Sequence, residues 1–306
     1  MYFHSHSMSI QKPEWLRVRP PSGETYVRVK NLLRESNLHT VCEEAKCPNS
    51  AECWGGGTAT IMILGDVCTR GCRFCAVKSG DPHGLVDLDE PQKVAGALAN
   101  LDIKYAVLTS VDRDDLPDGG AGHYARTISA IKKKRPDVVV EALIPDFGGD
   151  EEALAKIVAE RPAVIGHNIE TVERLTPAAR DRRSTYRRSL SVLRSIKRMD
   201  PEIYTKSSIM LGLGETDEEV LGAFDDLRAA GVDLLTIGQY LRPSAWHLPV
   251  SEYVPPEKFE RFRVLAKARG FLYAASGPLV RSSYRAGEYF VNALTRSERE
   301  MAPDGR

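Results

Sequence analysis

From Ala59 onward, apolar runs of strand length alternate with segments that have the apolar spacing of amphipathic helices. The runs of strand length are Ala59–Gly65, Tyr105–Thr109, Val138–Leu143, Val164–His167, Tyr204–Met210 and Leu234–Tyr240. The segments with helical spacing are Glu90–Leu101, His123–Lys134, Glu151–Glu160, Tyr186–Met199, Asp217–Ala230 and Pro256–Arg269. Strands that alternate with helices predict a parallel sheet built from βα units, and continuously apolar strands indicate that both faces of the sheet are covered.

We therefore predict an α/β fold, a partial and open (βα)6 barrel of the TIM type. A complete barrel of this type has eight units. No seventh or eighth unit is visible, although closure to eight strands stays open as an alternative. The predicted barrel covers residues 58–270, between an N-terminal extension over residues 9–57 and a C-terminal extension over residues 271–306. Residues 1–8 are polar and rich in His and Ser, and we interpret them as an expression scar before a native start near Met8.

The N-terminal extension contains one predicted helix and a group of three cysteines. Thr25–Ser36 has helical spacing. Cys42, Cys47 and Cys53 follow and are called the N-terminal cysteines below. Glycines and a proline lie among and after them, which predicts a loop rather than a helix or a strand.

Composition narrows the class of protein. The chain of 306 residues carries 42 Lys and Arg against 42 Asp and Glu, so we expect neither a nucleic acid nor an anionic membrane as a partner. It has no run of 18 or more apolar residues, so no transmembrane helix is predicted. All six cysteines lie between Cys42 and Cys75, too few for a disulfide framework in a chain of this length. We therefore expect a reducing compartment, the cytoplasm.

Cys68, Cys72 and Cys75, called the loop cysteines below, directly follow the first predicted strand. Three thiols within eight residues cannot all pair with one another, which favours a metal cluster over a disulfide. A cubane iron–sulfur cluster normally takes four cysteines, so three leave one iron free to bind a small molecule. A single zinc ion stays open on spacing alone, but zinc prefers two close pairs of ligands and neither triplet contains two such pairs.

Polar residues follow the predicted strands at the edge where parallel barrels carry their active sites. In chain order these segments are Gly65–Asp66, Thr109–Asp115, Pro145–Asp146, His167–Thr171, Gly212–Glu215 and Gln239–Pro243, with Glu141 and Lys206–Ser208 within strands. Structural alternatives stay open: His167 can be a hydrogen-bonded buried histidine, Asp112 and Asp114 can cap a turn, and Gly212–Gly214 can be a tight turn.

The spacing of the loop cysteines, with Phe74 before the last one, resembles the signature of the radical S-adenosylmethionine (SAM) superfamily. The whole set of motifs resembles the lipoyl synthase family from about Trp15 to Tyr289. The motifs that carry this second resemblance are the N-terminal cysteines, Gly166–Thr171, Lys206–Glu215, Gly238–Pro243 and Arg281–Tyr284.

The resemblance implies two [4Fe–4S] clusters. The loop cysteines would hold the cluster whose open iron binds SAM, and the N-terminal cysteines would hold an auxiliary cluster. In the family, a serine of the Arg-Ser-Ser-Tyr motif, here Arg281–Tyr284, supplies the fourth ligand of the auxiliary cluster. Ser282 and Ser283 are both candidates, and we choose Ser283. An alkoxide is a poor match for iron among soft thiolates, so this ligand should leave readily. The alternative is that both serines form an ST turn.

The resemblance also implies contacts to SAM or substrate. Phe74 is expected near the adenine, and Thr109, Ser110 and Asp112 are expected near the methionine amine. Asn168, Lys206 and Gln239 are further candidates.

The implied reaction inserts two sulfur atoms at C6 and C8 of an octanoyl chain on a carrier lysine, with the auxiliary cluster as the sulfur donor. The loop cysteines and Ser283 are the implied catalytic residues. The implied partners are an octanoylated lipoyl carrier domain or an H-type carrier protein, a one-electron donor such as ferredoxin or flavodoxin, and a cluster-assembly carrier.

Two other functions stay open. The first rival is another radical SAM enzyme with an auxiliary cluster, for instance one that matures a peptide. The second is a non-catalytic binding module that carries zinc or a cluster.

An arginine-rich stretch either docks an acidic carrier domain or forms a solvated basic face; its members are Arg180, Arg182, Arg183, Arg187 and Arg188.

Overall fold

The computed structural model describes residues 11–18, 23–44, 47, 49–55, 58–101, 103–288 and 290. The predicted expression scar therefore lies outside the described residues. So does nearly all of the chain after residue 288. The predicted domain boundaries stay a prediction.

Strands and helices alternate over most of the described chain. The strands are β1 His39–Thr40, β2 Thr58–Ile63, β3 Val67–Cys68, β4 Lys78–Ser79, β5 Tyr105–Ser110, β6 Val139–Leu143, β7 Val164–Gly166, β8 Tyr204–Leu211, β9 Leu234–Gln239 and β10 Tyr273–Gly277. The α-helices are α1 Glu24–Glu35, α2 Val41–Glu44, α3 Ser50–Gly55, α4 Glu90–Ala99, α5 Ala121–Lys134, α6 Glu151–Ala159, α7 Thr176–Ala179, α8 Tyr186–Met199, α9 Asp217–Ala229 and α10 Pro256–Ala268. Short 3-10 helices cover Glu14–Leu16, Phe147–Gly149 and Glu173–Leu175.

The main sheet has the order β1-β2-β5-β6-β7-β8-β9-β10. Every neighbouring pair is parallel except β1 and β2. Successive helices pack on one another outside the sheet, α4 on α5, α5 on α6 and α6 on α8. The prediction of an α/β partial barrel with six βα units is confirmed.

The structure adds a seventh parallel strand, β10, which pairs with β9 from Tyr273 opposite Leu234 onward. Sequence analysis did not find it because the run Ala274–Ser276 consists of small residues with weak strand preference. A second small parallel pair, β3 and β4, brackets the loop cysteines and aligns Cys68 with Ser79.

The prediction of a loop for the N-terminal cysteines was wrong. Cys42 lies in α2 and Cys53 lies in α3. Trp54 of α3 stacks on Tyr26 of α1, with ring centroids 4.9 Å apart. This packing holds a short helix in place although glycines and a proline flank it, so tertiary contacts override the local signal.

Side-chain caps explain why the helices begin where the sequence predicted. Asp150 accepts hydrogen bonds from the first turn of α6, and Thr185 accepts one from Arg188 of α8. Thr216 and Glu219 form a reciprocal capping box at the start of α9. In the described residues, no helix is both long and apolar enough to cross a membrane.

Candidate functional site

A tight turn after β2 positions the loop cysteines. Leu64 and Gly65 both adopt positive φ angles, 69° and 88°. Glu90 accepts a hydrogen bond from the Leu64 N–H at 2.8 Å, and Arg113 donates one to the Leu64 carbonyl at 3.0 Å. His123 lies 2.6 Å from Glu90. A leucine rarely adopts a positive φ angle. The buried polar contacts of Glu90 and Arg113 with Leu64 therefore hold the turn from which the cysteine loop starts.

Backbone N–H groups point at the sulfur atoms of the loop cysteines. Cys68 Sγ accepts from Arg70 N at 3.4 Å and from Asp112 N at 3.3 Å. Cys72 Sγ accepts from Asp181 N at 3.3 Å. Burial raises the pKa of Cys68 and of Cys72 to about 12, and that of Cys75 to about 11. Such thiols ionise readily only when a cationic centre binds them, and the N–H donors are oriented to stabilise the resulting charge.

Arg70 ties this loop to the sheet. Its side chain is 2% exposed and lies within ion-pair distance of three carboxylates: Asp114 at 2.8 Å, Asp146 at 2.7 Å and Asp112 at 3.2 Å. Its Nη1 also donates to Ser184 Oγ at 2.9 Å. One guanidinium thus joins the cysteine loop to the ends of β5 and β6 and to the segment before α8.

Asp112 lies beside the loop cysteines, with its Oδ2 3.9 Å from Cys68 Sγ. Burial raises the pKa of this carboxyl to about 6, although the charge of Arg70 acts in the opposite direction. Asp114 does not cap a turn: it accepts from Arg70 and, at 2.7 Å, from the Thr69 hydroxyl.

A cavity of about 530 Å³ opens beside the loop cysteines and is lined by all three of them. Cys47, Ser282 and Ser283 also line it. The structure therefore brings the loop cysteines, one N-terminal cysteine and both candidate serines to one space. Most of the predicted contact residues line the same cavity, namely Phe74, Thr109, Ser110, Asp112, Asn168 and Gln239.

The C-terminal segment, residues 278–285, is bound to the N-terminal cysteine region. Asn49 donates to the Leu279 carbonyl at 2.6 Å, and the Tyr284 hydroxyl donates to Glu52 at 2.9 Å. The Arg285 N–H donates to Cys53 Sγ. A glycine at position 238 permits this course, because a Cβ there would lie 2.1 Å from the Val280 carbonyl oxygen. Ser282 and Ser283 are thereby held next to the N-terminal cysteines.

The N-terminal cysteines interact with one another. A hydrogen bond between the Cys42 and Cys47 thiols lowers the pKa of Cys47 to about 6 and raises that of Cys42. Burial raises the pKa of Cys53 to about 11.

The donor set fits iron–sulfur clusters better than single ions. No three His, Cys, Asp or Glu side chains in the described part of the chain converge on one metal ion. A tetrahedral zinc site needs its sulfur atoms about 2.3 Å from a single centre, whereas a cubane spreads its thiolate ligands over separate irons. The N–H groups directed at Cys68, Cys72 and Cys53 supply the outer hydrogen bonds that cluster sulfurs accept.

Lys206 does not line this cavity, and the contact to SAM or substrate that the resemblance implied for it stays a prediction. Its Nζ lies 2.8 Å and 3.0 Å from the two carboxylate oxygens of Glu141, which also accepts from the Tyr105 hydroxyl at 2.7 Å. Lys206 pairs with Leu234, the first residue of β9, so it lies toward the amino edge of the sheet and away from the loop cysteines.

Gln239 lines the cavity, but its amide already serves the backbone. Its Nε2 donates to the carbonyls of Leu211, Tyr240 and Glu252, and its Oε1 accepts from Val254 N at 2.8 Å. It therefore fixes the loops around it. Asn168 Nδ2 donates to Glu170 at 3.0 Å.

The structural interpretation of His167 is supported. Its Nδ1 lies 2.9 Å from the Ile144 carbonyl and its Nε2 lies 2.8 Å from Ser189 Oγ. Burial lowers the pKa of His167 to about 4, so the ring is neutral near pH 7.

Most side chains of the arginine-rich stretch form ion pairs or hydrogen bonds within the chain. Arg183 pairs with Asp181 at 2.8 Å and with Asp114 at 3.1 Å, and Arg187 pairs with Glu173 at 2.8 Å. Arg180 donates to Ser189 and lines the cavity. The pair of Arg187 with Glu173 is exposed, as on a solvated face, and docking of a carrier domain stays a prediction.

Sequence reasoning predicted no contact for several residues of the site, although Glu170, Arg180 and Arg281 stand in segments that it named. Arg70, Glu170, Arg180 and Arg281 all line the cavity. Glu170 adopts a positive φ of 68°, and burial raises the pKa of its carboxyl. An acidic residue after a strand end was the available signal for Glu170, whereas Arg70 carried none, because its partners lie 44 and 76 residues away.

Comparison with known proteins gives two family matches. The family model of the radical SAM superfamily matches residues 62–227. The model described as the N-terminal domain of lipoyl synthase of the radical SAM family matches residues 4–47.

Relatives of high identity span nearly the whole chain. The lipoyl synthase of Thermus thermophilus is 57% identical over 93% of this chain and 88% of that protein. That of Halobacterium salinarum is 56% identical over 96% of this chain and 95% of its own length. The mitochondrial lipoyl synthase of Culex quinquefasciatus is 53% identical over 96% of this chain and 79% of its own.

Solved structures of lower identity share the fold. A methylornithine synthase superposes with a TM-score of 0.54 at 12% identity, over 90% of this chain and 81% of that one. The FeFe-hydrogenase maturase HydG from Carboxydothermus hydrogenoformans gives 0.54 at 14% identity, over 77% and 56%.

Proposed function

The chain belongs to the lipoyl synthase family of the radical SAM superfamily, and we propose that it inserts two sulfur atoms at C6 and C8 of a protein-bound octanoyl chain. The observation that carries this proposal is the shared cavity. A site that cuts two unactivated C–H bonds and delivers sulfur to the same carbons must hold both reagents within reach of one chain. Here the loop cysteines, Cys47 and both candidate serines line one space.

The residues present fit the groups that the family uses. Cys68, Cys72 and Cys75 would hold one [4Fe–4S] cluster together with SAM, and the N-terminal cysteines with Ser283 would hold the second. When bound, these groups supply the one-electron cleavage of SAM and the sulfur that is transferred. The donor set supports this assignment, since each triplet supplies three thiols, with Cys47, Cys68, Cys72 and Cys75 at the cavity wall.

The side chains of the cavity would orient the substrates and exclude water. Thr109 and Ser110 end β5, and Asp112 follows it with its N–H on Cys68 Sγ; these three would receive the polar end of SAM. Apolar walls on other sides would receive the octanoyl chain; they come from Val41, Met62, Val77, Val111, Leu143 and Met210. A carbon radical would otherwise take hydrogen from any nearby donor, so an enclosed apolar lining favours transfer of sulfur.

The proposal includes a cellular setting. The substrate would be an octanoylated lipoyl carrier domain or an H-type carrier protein. A ferredoxin- or flavodoxin-like protein would provide electrons, a cluster-assembly carrier would rebuild the auxiliary cluster, and the compartment would be the cytoplasm.

Anaerobic mass spectrometry tests the proposal directly. Reconstituted protein is mixed with SAM, a one-electron reductant and an octanoyl-lysine peptide. We expect a peptide that gains two sulfur atoms, together with 5′-deoxyadenosine. Deoxyadenosine without a thiolated peptide would favour a different radical SAM enzyme. Neither product, from protein shown to contain about eight irons per chain, would favour a non-catalytic cluster module.

A further inference from the structure

Three exposed side chains form a basic and aromatic patch next to the loop cysteines. They are Arg73, Arg242 and Trp246, called the rim patch below. Arg73 lies between Cys72 and Cys75 in the chain, and its guanidinium lies 5.8 Å from the centroid of the Trp246 ring. Trp246 is 58% exposed, although an indole normally finds cover in a folded chain.

Both arginines of the rim patch keep their charge available. Arg73 donates to the Trp246 carbonyl at 3.2 Å, and Arg242 donates to the His247 and Ala245 carbonyls. Among the residues that the structure describes, neither guanidinium has a carboxylate partner, whereas Arg183, Arg187 and Arg174 are all paired with acids. A pair of unneutralised cations beside an exposed aromatic ring attracts an acidic protein surface.

The loop that carries the rim patch is bound to the cysteine loop itself. His247 Nε2 donates to the Cys75 carbonyl at 2.8 Å, with Ser244 Oγ 2.8 Å from its other nitrogen. Leu248 N donates to the Arg73 carbonyl at 3.0 Å. Trp246 directly precedes His247, so a protein that covers Trp246 contacts the chain neighbour of a residue hydrogen-bonded to the backbone of Cys75.

We propose that the rim patch is the docking surface for an acidic one-electron donor protein that serves the site of the loop cysteines. This inference rests on the proposed function. One electron leaves the reduced flavin or iron–sulfur group of the donor, which is oxidised by one electron. SAM accepts that electron, and its sulfonium carbon–sulfur bond breaks to give methionine and a 5′-deoxyadenosyl radical.

The position of the rim patch favours an electron donor over the carrier domain. The loop that carries the patch is hydrogen-bonded to Arg73 and Cys75, which both lie in the cysteine loop. The N-terminal cysteines, which the octanoyl chain must also approach, contact the C-terminal segment instead, through Asn49 and Glu52. Three side chains also make a small surface, typical of the transient contacts of electron-transfer proteins.

The test compares a protein donor with a chemical reductant. The variants are Arg73→Glu, Arg242→Glu and Trp246→Ala, and the matched control is Lys133→Glu. Lys133 is exposed and lies at the carboxyl end of α5, at the opposite edge of the sheet. Deoxyadenosine formation is measured with reduced flavodoxin at several concentrations and, separately, with dithionite.

We expect each arginine reversal to raise the apparent KM for flavodoxin about tenfold and to weaken its dependence on salt. Trp246→Ala should raise this KM severalfold. Dithionite-driven SAM cleavage by Trp246→Ala should stay within about twofold of wild type, and Lys133→Glu should resemble wild type throughout. Arg73 lies in the cysteine loop and Arg242 lines the cavity, so if either arginine variant loses iron or dithionite-driven SAM cleavage, Trp246→Ala decides the question.

Direct binding separates this proposal from the proposed function. The affinity of oxidised flavodoxin for the protein is measured by biolayer interferometry, with and without reconstituted clusters. Affinity lowered about tenfold in both states by Arg242→Glu would support the rim patch, whether or not an octanoyl peptide gains sulfur. An unchanged flavodoxin KM and affinity would overturn it. A raised KM for the octanoylated carrier, with flavodoxin unaffected, would assign the patch to the carrier and overturn it as well.

Discussion

The Nη2 atom of Arg70 lies 2.7 Å from Oδ1 of Asp146, an ion pair in which neither side chain is more than 2% exposed. Arg70 stands between two loop cysteines, and Asp146 follows β6. The pair therefore connects the cysteine loop to the rigid sheet through the interior of the molecule.

Replacing Arg70 by methionine should destabilise the protein strongly. The change leaves Asp114 and Asp146 without their main cation, and breaking a buried pair costs about 3–5 kcal/mol. Urea unfolding of the protein without iron measures the loss. Arg187→Met is the control, since its pair with Glu173 is exposed and should contribute less than about 1 kcal/mol. Equal losses in both variants would show that the Arg70 contacts add nothing beyond a surface pair.

Ser283→Ala should abolish sulfur insertion while SAM cleavage continues. The serine lines the cavity and would lose its bond to the auxiliary cluster, whereas the loop cysteines are unchanged. Mass spectrometry of the peptide and of deoxyadenosine measures both reactions. Ser282→Ala is the matched control, and a loss of thiolation confined to that variant would move the ligand to Ser282. Thiolation by both variants would support the ST-turn interpretation.

Gly238→Ala should displace the C-terminal segment. A Cβ at this position would lie 2.1 Å from the Val280 carbonyl oxygen. Because this oxygen belongs to the backbone, rotation of a side chain cannot relieve the clash. We expect proteolysis near residue 280 and a loss of thiolation. Gly222→Ala in α9 is the control, because its Cβ meets nothing within 4 Å and alanine favours helix. Identical protease resistance in both variants would contradict the observed course of the segment.

Lys206→Met should lower stability by about 3–5 kcal/mol, because Glu141 then stays buried without its cation. The double variant with Glu141→Leu should recover part of the loss, which unfolding of all four proteins would measure. SAM affinity of the reconstituted enzyme should not change. A lowered SAM affinity with unchanged stability would restore Lys206 to the SAM contacts that the resemblance implied.

His167 should make stability depend on pH. Burial lowers its pKa to about 4, below the value near 6.5 of an unfolded chain. The unfolded state therefore binds more protons between these values. The free energy of unfolding should be complete above about pH 6.5 and should fall as the pH drops toward 4. From pH 7 to 5, wild type should lose roughly 2 kcal/mol more than His167→Gln in urea unfolding. Equal losses in the two proteins would exclude a buried neutral histidine as the cause.

Local sequence patterns were sufficient to predict most of the strands and helices of the barrel. The prediction for Tyr186–Met199 matches α8 at both ends, because Thr185 supplies a cap and the apolar residues keep the helical period. The run at Leu234–Tyr240 was correct to within one residue, since all six residues of β9 are buried. The position of the loop cysteines after the end of β2 was also predicted from the sequence.

Contacts between distant parts of the chain could not be predicted. The partners of Arg70 come from two strand ends and from Ser184, 114 residues away. Lys206 was expected at the cavity because it lies in a motif-bearing segment, but its position along β8 places it beside Glu141. The helices around Cys42 and Cys53 depend on packing against α1, which no local pattern encodes.

The contact between Asn49 and Leu279 joins residues 230 positions apart in the chain, and that between Glu52 and Tyr284 spans 232. During synthesis the loop cysteines can gain their last described partner once His247 has been made, but the N-terminal cysteines must wait until almost the whole chain has left the ribosome. The two halves of the site are therefore completed at different times. A chain that stops before residue 279 would present finished loop cysteines and leave the N-terminal cysteines uncovered, a state that cellular proteases can recognise.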